Sequence, residues 1–190
     1  MGTLAFGFWT GLSSRFKRII TILACFLFCI IITTAGVFTP ISAQDSQATN
    51  DEINQLSTSI KNMGVWRGGL AIFQNNFVID LIMFIPFAGP LFGSYALYNT
   101  GLAVNAQSKS PENTMHWPAI LLLFSLFIFP HTWLEFIAYS TALAASIWLT
   151  WRIVQRRGKQ EIIRTGKFVA ICAGLLLLGA FIEAYLISLV

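Results

Sequence analysis

Residues 118–151 read PAILLLFSLFIFPHTWLEFIAYSTALAASIWLTW. A bilayer-spanning helix needs about 20 apolar residues, so this run is long enough to cross and too long for one plain span. Pro130 interrupts it, and a proline inside a membrane helix releases backbone groups that need other partners. His131 and Glu135 sit one helical turn apart just after the break. An ionisable group at membrane depth costs roughly 2.5–3.5 kcal/mol or more, so it normally has a partner or a task. Glu183 raises the same question inside a second apolar run, Phe168 to Val190.

The bulk composition agrees with a membrane reading. Hydrophobic residues make up 56% of the 190 and charged residues 11%, against about a quarter charged in soluble domains. The net charge of +4 is concentrated beside apolar runs. Arg152, Arg156, Arg157, Lys159, Arg164 and Lys167 form one basic segment, and Arg15, Lys17 and Arg18 another. Basic flanks of this kind mark the cytoplasmic side of membrane spans and give no reason to expect nucleic acid as a partner. Cys25, Cys29 and Cys172 all fall in apolar runs, without the spacing of a zinc site or a disulfide framework. They read as small apolar packing residues.

Residues 1–18 contain Leu4, Phe6, Phe8, Trp9 and Leu12 ahead of the first basic group, which predicts a cytoplasmic interfacial N-terminus. Residues 19–42 hold the first transmembrane helix. Its apolar run exceeds the 7–15 residues usual for a signal peptide core, so it is expected to stay as an anchor. Residues 43–68 are the clearly polar part. There Ile53, Leu56, Ile60 and Met63 recur at spacings of three and four, the mark of one apolar helix face. Thr49 with Glu52 has the form of a capping box, and Gly64 is placed to stop the helix. A short amphipathic helix on the external surface is expected, resting on the headgroups.

Residues 69–190 form the expected broken-helix membrane core. Gly69 to Val104 is interrupted at Pro86-Phe87-Ala88-Gly89-Pro90. With both basic clusters inside, the two long stretches must together cross an odd number of times. The economical solution splits Gly69 to Val104 into two crossings and gives Pro118 to Trp151 one, as a long or kinked helix. The fold class is then all-α, a polytopic transmembrane bundle of about five crossings with the C-terminus external. Three crossings is the alternative, with Gly69 to Val104 as a single broken span. Trp66, Trp117, Trp148 and Trp151 lie near predicted span ends, as in an aromatic belt.

Two constellations carry the chemistry. Glu135 precedes Arg152 by seventeen residues and Glu183 follows Lys167 by sixteen. At 1.5 Å per residue both lie roughly 24–26 Å from the inner surface, so antiparallel neighbours bring them to one depth. His131, Glu135 and Glu183 are therefore the candidate intramembrane cluster. It can be a structural hydrogen-bonded group, a proton or cation site, or, by ligand type, a metal site; the structural reading is preferred and no metal or other cofactor is assigned. His116 belongs to the external loop. The second constellation is Asn75, Asn76 and Asp80, with Asn76 and Asp80 on one face. These are expected to cap backbone groups at the crossing that begins near Phe77 or those freed at Pro86. No nucleophile elbow, phosphate loop, zinc-protease or haem motif occurs, so the chain is not expected to be an enzyme.

The same residues also carry a family resemblance. Phe73-Gln74-Asn75-Asn76, then Asn99-Thr100-Gly101, then Phe129-Pro130-His131-Thr132-Trp133-Leu134-Glu135, then Ala180-Phe181-Ile182-Glu183-Ala184 occur in that order. This pattern resembles the stage II sporulation protein M family of integral membrane proteins, over about residues 69 to 190. Thr132 stands where members commonly have glycine, and Leu186-Ile187-Ser188 where many have threonine-proline. The resemblance implies a small polytopic protein that acts with partners; the sporulation member takes part in a membrane complex that recruits cell-wall hydrolases. The expected function is a non-catalytic integral membrane subunit that assembles or stabilises a larger complex with other integral subunits. The alternatives are a proton- or cation-coupled transport component and an accessory subunit of a membrane enzyme.

Overall fold

A computed structural model describes residues 13–111 and 113–189. The expected interfacial segment before residue 13 lies outside them. Among the described residues the chain forms helices only: α1 (Ser14–Val37), α2 (Ala43–Met83), α3 (Ala88–Ser108), α4 (Ala119–Leu126), α5 (Pro130–Val154) and α6 (Gly158–Leu189). Helices α1, α5 and α6 are each long and apolar enough to cross a membrane. The fold is a membrane-embedded all-α bundle.

The breaks fall at glycine and proline, each with a local cause. Helix α2 bends at Gly64, whose φ of 70° and ψ of 168° suit a residue without Cβ. The chain folds back there, so that a Cβ on Gly68 would lie only 3.0 Å from the carbonyl oxygen of Ile60. The part of α2 before Gly64 thus becomes a strap across one end of the bundle. It begins earlier than the Thr49–Glu52 pattern suggests: Ser42 is the cap, its Oγ accepting from the Asp45 amide at 3.1 Å and donating to the Asp45 carboxylate at 2.6 Å. Thr49 is inside the helix and its hydroxyl donates to the Asp45 carbonyl. Nor does the strap rest on its whole apolar face. It docks through Ser46 and Asn50, which both donate to the Ala106 carbonyl, and through buried Ile60, leaving Leu56 and Met63 exposed.

At Pro86 the chain reverses, and Phe87 takes a positive φ of 64°, a conformation costing about 1–3 kcal/mol unless its surroundings hold it. Helix α5 supplies the hold. The Phe87 amide donates to Thr150 Oγ1 at 3.0 Å, and Ser146 Oγ donates to the Ile85 carbonyl at 2.7 Å. Residues 118–151 form two helices, not one, separated at Phe127-Ile128-Phe129. The Trp133 indole closes that gap by donating to the Phe127 carbonyl at 2.7 Å.

Helix α5 is the hub, in contact with α1, α2, α3 and α6. Its residues from Ala138 to Ser146 are all buried. Contacts along the helices fix their directions. Thr33, Val37 and Thr39 of the first helix and its exit meet Gly101, Val104 and Asn105 in turn, so α1 and α3 run parallel. Cys172 meets Ala138 and Gly179 meets His131, so α5 and α6 are antiparallel. Phe181 lies against Gly69 while Asp80 lies near Cys172, so the second part of α2 also opposes α6. Both basic segments then fall at one end, opposite the strap. At this basic end Arg18 pairs with buried Glu161 through two contacts of 2.7 and 2.8 Å and lies 4.8 Å from the Trp148 ring centre.

The α1–α3 contact tolerates no side chain. A Cβ on Gly101 would sit 2.0 Å from the Thr33 carbonyl oxygen and 2.9 Å from Gly36 Cα. Gly101→Ala is therefore expected to destabilise the bundle by about 1–3 kcal/mol or more, as overpacking does. Gly174→Ala, whose added atom meets nothing within 4 Å, is the control and should not. Thermal unfolding in detergent checks this; equal midpoints for the two variants would contradict the tight crossing.

Candidate functional site

Helix α2 presents Asn76 and Asp80 one turn apart, and α5 presents Glu135 and Tyr139 in the same spacing. The two faces meet inside the bundle. Asn76 Nδ2 donates to Glu135 Oε1 at 2.8 Å. Glu183 enters from α6, within electrostatic reach of Glu135. Tyr139 lies within reach of Glu135, Asp80 and Glu183 together. Glu135 and Glu183 thus lie near each other on antiparallel neighbours.

Asp80 is the most unusual member. It is 0% exposed, and neither carboxylate oxygen has a hydrogen-bond partner. A buried carboxylate in that state is costly unless a cation or a proton accompanies it. Cys172 is nearby on α6, but its thiol donates to the Ala138 carbonyl at 3.6 Å instead.

His131 stands at the start of α5, away from the Asn76–Glu135 bond. Its ring stacks on Phe129, with centres 5.7 Å apart, and its Nδ1 is buried without a partner. It lines a cavity at the strap end together with Glu183 and Lys61. Glu183 therefore belongs to both parts of the site, near Glu135 and lining the cavity with His131. Among the described residues no three His, Cys, Asp or Glu side chains converge as a metal ligand set.

The second constellation makes different bonds from the backbone caps expected of it. Asn75 donates to Asn76 Oδ1 at 3.4 Å, Asn76 to Glu135, and Asp80 to nothing. The reason is that α2 is continuous from Gly64 to Met83, so its backbone is already bonded where these side chains lie. The groups freed near Pro86 are met from α5 by Ser146 and Thr150 instead. Those two residues share a face at a spacing of four, which is a visible signal. Tyr139 sits four residues after Glu135 and extends that face in the same way. Arg18 and Glu161 carried no such signal, because they pair across helices 143 residues apart in sequence, and Lys61 carried none because the cavity it lines is completed by distant elements.

The chain matches the sequence profile of the family described as Stage II sporulation protein M over residues 22–187. It belongs to that family. The match runs from the third turn of α1 almost to the end of α6, so Asn76, Asp80, His131, Glu135 and Glu183 all lie within it. The first helix is therefore part of the stage II sporulation protein M unit, which extends the similarity beyond the broken-helix core. No curated protein and no solved structure matches the chain.

The Asn76–Glu135 bond makes a prediction for this member of the stage II sporulation protein M family. Asn76→Leu removes a donor from the half-buried Glu135 carboxylate and is expected to cost about 1 kcal/mol or more. Pairing it with Glu135→Leu should recover part of the loss, with a coupling of about 0.6–1.7 kcal/mol, the range found for interhelical bonds in membranes. Reversible unfolding in bicelles measures the cycle, and strictly additive losses would refute the coupling.

Proposed function

We propose that this protein is a non-catalytic integral membrane subunit that assembles or stabilises a larger membrane complex. In this reading it crosses the membrane five times, with the N-terminus cytoplasmic and the C-terminus external. The grouping of both basic segments at one end supports the orientation. The reversal at Pro86 supports two crossings between Gly64 and Ser108 in place of one. An accessory role beside a membrane enzyme is the same proposal with a catalytic partner.

The observation that carries it is a lateral cleft of about 980 Å³ between the strap and the α2–α3 hairpin. Ile53 and Leu56 of the strap face Ile79, Phe92 and Tyr95 across it, with Asn75 and Asn99 supplying amides. Leu56 is 60% and Tyr95 67% exposed. The strap side of the cleft also carries Asp45, Thr49 and Glu52. An apolar wall with a polar rim suits a partner's transmembrane helix where it leaves the membrane, since membrane helices associate by close packing and occasional hydrogen bonds. Mild-detergent purification followed by mass spectrometry is expected to recover a stable set of larger subunits. Leu56→Asp should reduce that recovery by at least about tenfold, as loss of a central anchor does. A wild-type protein that purifies alone would sink the proposal.

Asp80 favours a second reading, a proton- or cation-coupled transport component. Its unpartnered carboxylate lies behind Glu135 and Glu183, and a mobile cation is one way to satisfy it. Under that reading Asp80→Asn abolishes gradient-driven flux in proteoliposomes and leaves partner recovery intact. Equal flux through the wild type and the variant would remove it.

A further inference from the structure

The strap-end cavity has a use that neither assembly nor ion movement requires. It is an open recess of about 510 Å³ between the strap, the α4–α5 connection and the end of α6. Its lining is sorted by chemistry. The strap contributes Thr58 and Lys61, α5 contributes His131, and α6 contributes Glu183, while Phe129 and Ile187 form an apolar wall.

Three facts point to a bound group. Lys61 and Glu183 face the same space yet form no ion pair with each other. The His131 ring borders the cavity and is held in orientation by stacking on Phe129. The cavity also adjoins the N-terminal end of α5, whose cap residue Phe129 offers no side-chain hydrogen bond, so that end remains favourable to negative charge. An anion-seeking side and a cation-seeking side thus share one pocket, with an apolar wall beside them.

We propose that this cavity binds the headgroup of a zwitterionic phospholipid carrying a primary amine. Lys61, His131 and the Thr58 hydroxyl hold the phosphate. Glu183 accepts from the ammonium, and Phe129 and Ile187 line the start of an acyl chain. A trimethylated amine has no N–H to donate, so the site discriminates against choline headgroups. This inference stands apart from the partner cleft, which lies on the other side of the strap and shares no residue with it.

The test uses the full-length protein in detergent, with native mass spectrometry during titration of phosphatidylethanolamine, phosphatidylcholine and phosphatidylglycerol. Wild-type protein is expected to retain phosphatidylethanolamine about tenfold more strongly than phosphatidylcholine, as one extra charge-assisted hydrogen bond permits. Lys61→Gln, a change on the exposed strap, should weaken retention of every phospholipid about tenfold. Glu183→Gln should keep phospholipid bound and erase the preference for the primary amine. Equal retention by the wild type and Lys61→Gln would overturn the proposal, as would an unchanged preference in a folded Glu183→Gln protein. Displacement of the lipid by an equal concentration of free phosphoethanolamine would overturn the lipid assignment in favour of a soluble ligand.

Discussion

The bundle depends on how closely other helices approach the middle of α5. From Ala138 to Ser146 the residues are Ala, Tyr, Ser, Thr, Ala, Leu, Ala, Ala and Ser, and every one is buried. In lipid the hydrophobic effect does not press helices together, so association rests on close packing and on bonds between helices. A run dominated by small side chains lets four helices gather round one. The hydroxyls in the run do not go unsatisfied: Ser140 and Thr141 donate to the Ile137 carbonyl, and Ser146 donates to Ile85. The candidate site is a product of the same packing, because Asn76 reaches Glu135 only when α2 lies directly on α5.

Two polar ties hold this assembly at different levels. Near the strap, Asn76 and Glu135 join α2 to α5. At the basic end, Arg18 and Glu161 join α1 to α6, with Trp148 of α5 against the guanidinium. A buried ion pair contributes little net stability against an apolar substitute, yet loss of one partner is costly. Such ties therefore select an arrangement more than they strengthen it. A sliding or rotated packing of these helices would leave a charge or an amide alone in an apolar setting, and that excludes the alternatives.

Much of this was legible in the sequence, for identifiable reasons. Run lengths and prolines located the helices and their breaks, because bilayer thickness and missing amides act locally. Counting from the basic residues placed Glu135 and Glu183 at one depth, which holds wherever helices are antiparallel neighbours. Which helices are neighbours was not legible. Asn76 looked like a backbone cap because its own helix offered no other partner, and its real partner lies 59 residues away. Arg18 looked like one more flanking cation for the same reason. The strap misled differently: its apolar periodicity was real, but polar contacts from Ser46 and Asn50 decided how it docks, and Leu56 was left outside.

The Pro86 turn has a consequence for how the chain is made. Its Phe87 amide and Ile85 carbonyl find their partners on Thr150 and Ser146, and Asn76 finds its partner on the same helix. Ribosomes deliver the first three helices to the membrane before α5 exists. During that interval the turn and the asparagine have only water, lipid headgroups or a translocation factor to bond. The nascent half-bundle is thus chemically marked as unfinished, and arrival of α5 erases the mark in one step. A chain cut short before residue 135 would leave all three groups without their partners on α5.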